Sequence, residues 1–337
     1  MKKINILITG GCGFVGTNIC VFLKKNFNSA NIFSLDNCSK IYSKHNLQIL
    51  KSNKIFNYKI NLHNKYQLLK LKTRFDYVID CAGNPAVESS RKKIQEVFDS
   101  NLVGTFNLLQ KVKSDNSKII FFSTSRVYPI EGSYEKFKRR SLYDEQDAIE
   151  GPKTVYGFTK LASEMMIKEF SYAFGVKYII NRFGLITGPL QFGKIEQGLV
   201  SLWMWRHFNK KFLEFKGYNG NGIQVRDILN INDVSRLIME QIKKFNKIYN
   251  LTFCVGGGKN NSLTLKQLTN KCKKITNYRA KIKKYKKTSI YDIPYFVSSN
   301  KKIKKYYNWR PKLDVEATLL QLFNWMKTNY ISIKNFF

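Results

Sequence analysis

The sequence predicts an α/β chain: a doubly wound parallel sheet followed by a smaller α/β unit, and three observations predict it. Ile4, Ile6, Leu7 and Ile8 form a short apolar run, the pattern of a buried parallel strand. Gly10, Gly13 and Gly16 follow it and lead into Thr17 to Lys25, which has helical spacing. Further apolar runs at 31–35, 56–60, 77–81, 118–122 and 178–183 alternate with helical segments, so the strands connect by right-handed crossovers into one sheet.

Each element of this opening has a chemical reading. A strand, a glycine turn and a helix bring backbone close to a diphosphate, and the helix N-terminus offers free N–H groups in a favourable dipole. Gly10, Gly13, Phe14, Val15 and Gly16 are the expected cradle. Asp36 closes the second strand about 20 residues on, where a carboxylate accepts hydrogen bonds from an adenosine ribose and repels a 2′-phosphate. The fold expected is therefore Rossmann-type and the cofactor NAD.

Further along, the stretch 37–46 reads as a polar loop, and Asn61 follows the third strand. The fourth strand ends in Ala82-Gly83-Asn84-Pro85, small residues that suit a ligand in the crevice above the sheet. Phe98, Leu102, Phe106, Leu109 and Val112 fall at helical spacing and read mostly as core, with Asn101 as a polar interruption. The strand at 118–122 ends in Ser123-Thr124-Ser125-Arg126, hydroxyls at the mouth of the sheet. Residues 129–152 read as a long surface loop. Tyr156 and Lys160 then share one face of a helix. A phenol ionises near pH 10. A lysine one turn away favours phenolate, which makes Tyr156 the candidate general base, with Lys160 as its cation and Thr124 sharing the proton.

The pattern changes after Gly188-Pro189. The division expected is 1–188 for the cofactor and 189–330 for the substrate, partly interleaved. In the second part, 199–208 is an aromatic helix, 217–222 a turn cluster and 223–229 an alternating strand with Gln224, Arg226 and Asp227. The run Lys281 to Lys287 reads as an exposed strand with solvated lysines.

Composition bounds the rest. Lys+Arg 58 against Asp+Glu 23 gives a net charge of +35 over 337 residues. The basic residues are mostly Lys and are spread along the chain, so a compositional bias outweighs a nucleic-acid patch. Six cysteines and three histidines show no metal-ligand spacing, so no metal is expected and the thiols read as reduced. No leader and no membrane span are expected, which places the chain in the cytoplasm.

Taken together, Thr9 to Gly16, Asp36-Asn37, Ala82-Gly83, Asn101, Ser123 to Tyr128, Tyr156 to Lys160, Arg182 and Trp309 to Pro311 resemble the extended short-chain dehydrogenase/reductase family. The resemblance implies a tightly held NAD and a nucleotide-diphosphate sugar substrate, with no nucleic acid or membrane partner and assembly as a homo-oligomer. It implies cofactor contacts from Asn37, Asn61, Leu62, Ala82, Gly83, Asn101, Ser123, Tyr156 and Lys160. Dehydratases of the family carry Asp-Glu after the catalytic Thr, and Ser125-Arg126 stands there instead. Gln191-Phe192-Gly193, Glu196-Gln197-Gly198 and Gln224-Val225-Arg226-Asp227 are similar to the CDP-paratose 2-epimerase branch. That likeness implies substrate contacts from Ser125, Arg126, Arg182, Gln191, Phe192, Gln197, Gln224 and Arg226, with Arg226 clamping the diphosphate. UDP-sugar 4-epimerisation and 4-keto sugar reduction stay open beside it, as does, in another class, a non-catalytic nucleic-acid-binding protein.

Overall fold

A computed structural model describes residues 3–85, 93–194 and 197–337. In chain order the first half runs β1 (Ile4–Thr9), α1 (Phe14–Asn26), β2 (Ala30–Leu35), α2 (Ser43–Ser52), β3 (Phe56–Tyr58), α3 (Lys65–Leu69), β4 (Tyr77–Asp80), α4 (Ile94–Phe98), α5 (Gly104–Asp115), β5 (Lys118–Thr124), α6 (Gly132–Arg139), α7 (Val155–Phe174) and β6 (Tyr178–Phe183). The second half runs β7 (Leu185–Thr187), α8 (Leu199–Phe208), β8 (Leu213–Lys216), β9 (Val225–Asn230), α9 (Ile231–Lys244), β10 (Leu251–Val255), β11 (Ser262–Thr264), α10 (Leu265–Thr276), β12 (Ile282–Tyr285), β13 (Tyr295–Phe296), α11 (Lys301–Tyr307), α12 (Val315–Thr328) and α13 (Tyr330–Ile333).

The main sheet has seven strands in the order β10-β6-β5-β4-β1-β2-β3, and every pairing in it is parallel. Strand order reverses between β1 and β4, which opens a crevice above their C-terminal ends. Alternate residues of β1 face opposite ways: Ile6 and Ile8 enter the core under α1 and α9, while Leu7 enters the one under α5 and α7. Both faces of the sheet are thereby covered.

The chain leaves this sheet after β6 and returns to it. β10 adds to its edge beside β6, and α9 packs among the residues of the first core. Between these visits the chain builds two small sheets, β11-β9-β13 with β7 on β9, and β12-β8. A separate core of Trp203, Met204, Leu268, Leu319 and Leu322 holds α8, α10 and α12 together.

Three expectations fail locally. Residues 37–46 are not all loop, because α2 starts at Ser43. Its buried face is made of Ser43, Asn46 and Leu50, too polar to show an apolar period. Residues 129–152 include α6, whose charged sequence hides it in the same way. Phe98 and Phe106 are 38% and 42% exposed rather than core, because a π-helical turn at Asp99–Val103 shifts the phase between α4 and α5. Among the described residues no helix is long and apolar enough to cross a membrane.

Candidate active site

One cavity of about 1460 Å³ runs from the glycine turn after β1, across the sheet's C-terminal rim, to the small sheets. Gly10, Gly13, Phe14, Val15, Gly16, Asp36, Asn37, Asn61, Leu62, Ala82 and Gly83 line its first half. The turn demands its glycines. Gly10 has φ +64°, and a Cβ on Gly16 would lie 2.2 Å from the Gly10 carbonyl oxygen. No side chain caps the N-terminus of α1, so its first amides are left for a ligand. Asp36 accepts from the Cys12 amide at 3.1 Å and the Cys38 amide at 2.7 Å. Burial pushes its carboxyl up, while those amides and Lys40 pull it down. An open cradle, an uncapped helix end and a fixed carboxylate at the far strand fit NAD.

Asn101 is corrected from cofactor contact to tether. It is buried behind the loop after β4, accepting from the Asn84 amide at 2.7 Å and donating to the Asn84 carbonyl and to Thr159. It shapes the cofactor wall without lining it.

The expected reacting groups, Thr124 and Tyr156, sit at the C-terminal end of β5 and the N-terminal end of α7. Thr124 accepts from the Arg126 amide at 3.2 Å, and Thr154 caps α7 by accepting from Gly157 at 2.9 Å. Gly157 allows the two ends to meet, since a Cβ there would lie 2.1 Å from the Arg126 carbonyl oxygen. The result is that the Thr124 hydroxyl and the Tyr156 phenol stand together on the cavity wall. Burial pushes the Tyr156 phenol up, and the Thr124 hydroxyl and the Arg126 charge pull it back.

Lys160 and Tyr156 both line the cavity, and the charge that pulls the phenol down is that of Arg126. Lys160 is 3% exposed, with Nζ 3.9 Å from the centre of the Phe121 ring. Burial pushes its ammonium down; Asp80, Cys81 and Glu164 hold it up. The lysine leans over the sheet toward β4 and β5.

Arg182 is also corrected. It is 3% exposed and clamps Glu164 through Nε at 3.1 Å and Nη2 at 2.8 Å. Ser123, on the cavity wall, donates to the same carboxylate. Arg182 therefore neutralises a buried acid under the site and does not line the cavity.

Ser125, Arg126, Gln191, Phe192, Gln197, Gln224 and Arg226 line the second half. Arg126 donates to the Tyr291 carbonyl at 2.8 Å. Gln191 accepts from Thr187 at 2.7 Å and donates to the Ile186 carbonyl at 3.0 Å. Arg226 donates to the Val225 and Ile293 carbonyls, each at 2.8 Å, and lies 3.7 Å from Asp292. Gln224 donates to Asp292 at 3.0 Å. Glu196 lies outside the described residues.

Asp292 is the site residue that sequence reasoning missed. Its only signal was negative, a segment at 291–299 without arginine. Asp227 serves elsewhere, buried and accepting from the Gly258 and Ser298 amides. Sequence spacing also hid a cluster: Cys12, Asp36 and Cys38 bring two thiols and a carboxylate within 4.8 Å of one another. The two sulfurs are 3.8 Å apart.

A seven-stranded parallel sheet with a glycine cradle and a distal carboxylate at its rim is a dinucleotide-binding arrangement. Residues 6–253 match the model of the NAD dependent epimerase/dehydratase family, and the chain belongs to that family. It is 29% identical to the CDP-paratose 2-epimerase of Salmonella typhi, over 96% of this chain and 99% of that one. It is 28% identical to the UDP-glucuronate 4-epimerase of Thermodesulfobacterium geofontis, over 98% of each. The structure of the UDP-glucuronic acid 4-epimerase of Bacillus cereus, in complex with UDP-glucuronic acid and NAD, superposes with a TM-score of 0.84 at 23% identity, covering 97% of this chain and all of that one.

Proposed function

We propose that the protein epimerises a nucleotide-diphosphate sugar by transient oxidation, most closely in the manner of a CDP-paratose 2-epimerase. The observation that carries this is the pairing of Thr124 and Tyr156 on the wall of one cavity with the cofactor cradle and Arg226. Tyr156 takes the proton of a ring hydroxyl, and Thr124 steadies that hydroxyl and shares its proton. Bound NAD would supply the reversible hydride acceptor that this transient oxidation needs. Arg226, Gln224 and Arg126 orient the diphosphate and the sugar, with a guanidinium fork suited to phosphate oxygens. Gln191, Phe192 and Gln197 wall the ring.

A second reading, C-4 epimerisation of a UDP-sugar, is favoured by the near-equal identity to the UDP-glucuronate 4-epimerase. The enzyme is read as cytoplasmic and as a homo-oligomer. Phe106, Phe158 and Met165, exposed on α5 and α7, are the apolar surface available to a second copy.

Isotope fate tests the proposal. CDP- and UDP-sugars deuterated at C-2 or C-4 are incubated with the enzyme, and the products are read by NMR. Retention of the label at C-2 with inverted configuration supports the leading reading, and retention at C-4 supports the second. Wash-out to solvent overturns both. Label arriving at C-6 signifies dehydration and also overturns both.

A further inference from the structure

The rim of the sheet carries a buried carboxylate with no part in the reading above. Asp80 ends β4 and is 1% exposed. Its register partners are Thr9 on β1 and Phe121 on β5. Register partners on parallel strands point to one face, here the face covered by α5 and α7. Thr9, Asp80 and Phe121 thus form a row across the sheet.

Lys160 enters this row from α7, with its ammonium over the Phe121 ring. An ammonium so deeply buried is driven toward its neutral form unless an opposite charge faces it. Two carboxylates face it. Glu164, one turn further along α7, is spent: Arg182 grips both of its oxygens, and Ser123 donates to it as well. Asp80 is not spent. Its hydrogen bonds come from neutral hydroxyls, Thr9 at 2.6 Å and Thr105 at 3.4 Å, and the Ala82 amide donates in turn to Thr9. Among the described residues no lysine or arginine nitrogen lies within 4.0 Å of it. The remaining titratable neighbour is Cys81, whose thiol burial pushes far up and so keeps neutral. Tyr156 and Arg126 face the cavity above.

We propose that Asp80 is the counter-ion that keeps Lys160 charged inside the rim, a positioning residue acting on the cofactor through that lysine. The pair acts across the row rather than by direct contact, and the surrounding core keeps the interaction strong at that range. Burial pushes the Asp80 carboxyl up, and the Lys160 charge and the hydroxyl donors pull it back toward the charged form and aim it. The charges coexist between the two titrations. Removing Asp80 lowers the lysine's proton affinity, so the ammonium is lost at a lower pH.

This inference rests on the reading of Lys160 as a charged cofactor contact, and the test is chosen to separate the two. Asp80→Asn and Asp80→Ser remove the charge, and Asp80→Glu keeps it. Circular dichroism and thermal melting identify the variants that fold. NAD affinity is titrated by tryptophan fluorescence as a function of pH, and the kcat/KM profile on a turned-over sugar is measured beside it. In either neutral variant the alkaline limb of both profiles should move to lower pH by about one unit or more, and in Asp80→Glu it should return toward that of the unmutated protein. A folded neutral variant with an unmoved limb overturns the proposal, as does a loss that is uniform across pH. The NAD profile needs no sugar. If no nucleotide sugar turns over, the function proposed above falls, while the NAD limb still decides the role of Asp80.

Discussion

The two halves of the cavity are built in opposite ways. On the cofactor side, polar groups come from the strand ends of one sheet, and backbone amides or buried neighbours fix them before any ligand arrives. Asp36 is held by two amides, and the rim around Thr124 by caps. On the other side, Gln191, and Gln224 and Arg226 together at the start of β9, spend their hydrogen bonds on nearby carbonyls, Thr187 and Asp292. A ligand there must exchange bonds as well as add them. Preorganised donors favour a transition state; groups already satisfied set a threshold that only a well-matched ligand crosses. The first half is suited to one invariant partner, and the second to discrimination.

The largest effect should come from the preorganised half. Tyr156→Phe keeps the ring and its packing but removes the proton acceptor. Turnover should fall roughly 10²–10⁴-fold, with NAD affinity retained by fluorescence titration. Equal turnover in the variant would break the contrast.

The exchangeable half should respond next. Arg226→Ala should raise KM with a loss of about 2–3 kcal/mol, near the upper range for a hydrogen bond to a charged group. Arg226→Lys should restore little, because one ammonium cannot replace the fork. Steady-state kinetics on a panel of nucleotide sugars checks both. An unchanged KM would mean that the guanidinium never leaves its carbonyls.

The smallest effect sharpens the boundary between the halves. Arg126 lines the second half of the cavity yet acts on the Tyr156 phenol. A cation favours phenolate, so Arg126→Gln should raise the phenol's titration and move the acid limb of kcat to higher pH by a fraction of a unit. Lys160→Ala should leave that limb closer to its original place, because Lys160 leans toward β4. A pH series on both variants tests this.

The same contrast explains what could be read in advance. The glycine turn, Asp36, the strand ends and the Tyr156–Lys160 helix depend on neighbours within a few residues, or on a regular period, and both are visible in a sequence. Arg182 could not be placed, because its partner Glu164 is 18 residues away on another element. The lean of Lys160 over Phe121 is not legible for the same kind of reason: spacing puts two residues on one helical face, but burial decides which way a long side chain bends. Asn101 was recognised as anomalous by its polarity, yet only the fold shows that it binds the loop after β4. α2 and α6 were hidden because short helices held by polar contacts carry little apolar period.

The strand β12 has a consequence for the protein in concentrated solution. It is exposed at every residue and pairs with β8 alone in its sheet, which leaves one row of backbone donors and acceptors open. Such an edge is a template for a strand from another molecule. Lys283 and Lys284 are adjacent, so they fall on opposite faces of the strand, and Lys281, Lys286 and Lys287 flank it. A second copy approaching this edge meets like charge above and below the plane. The lysine run thus works as a guard against aggregation at the most vulnerable edge of the small sheets.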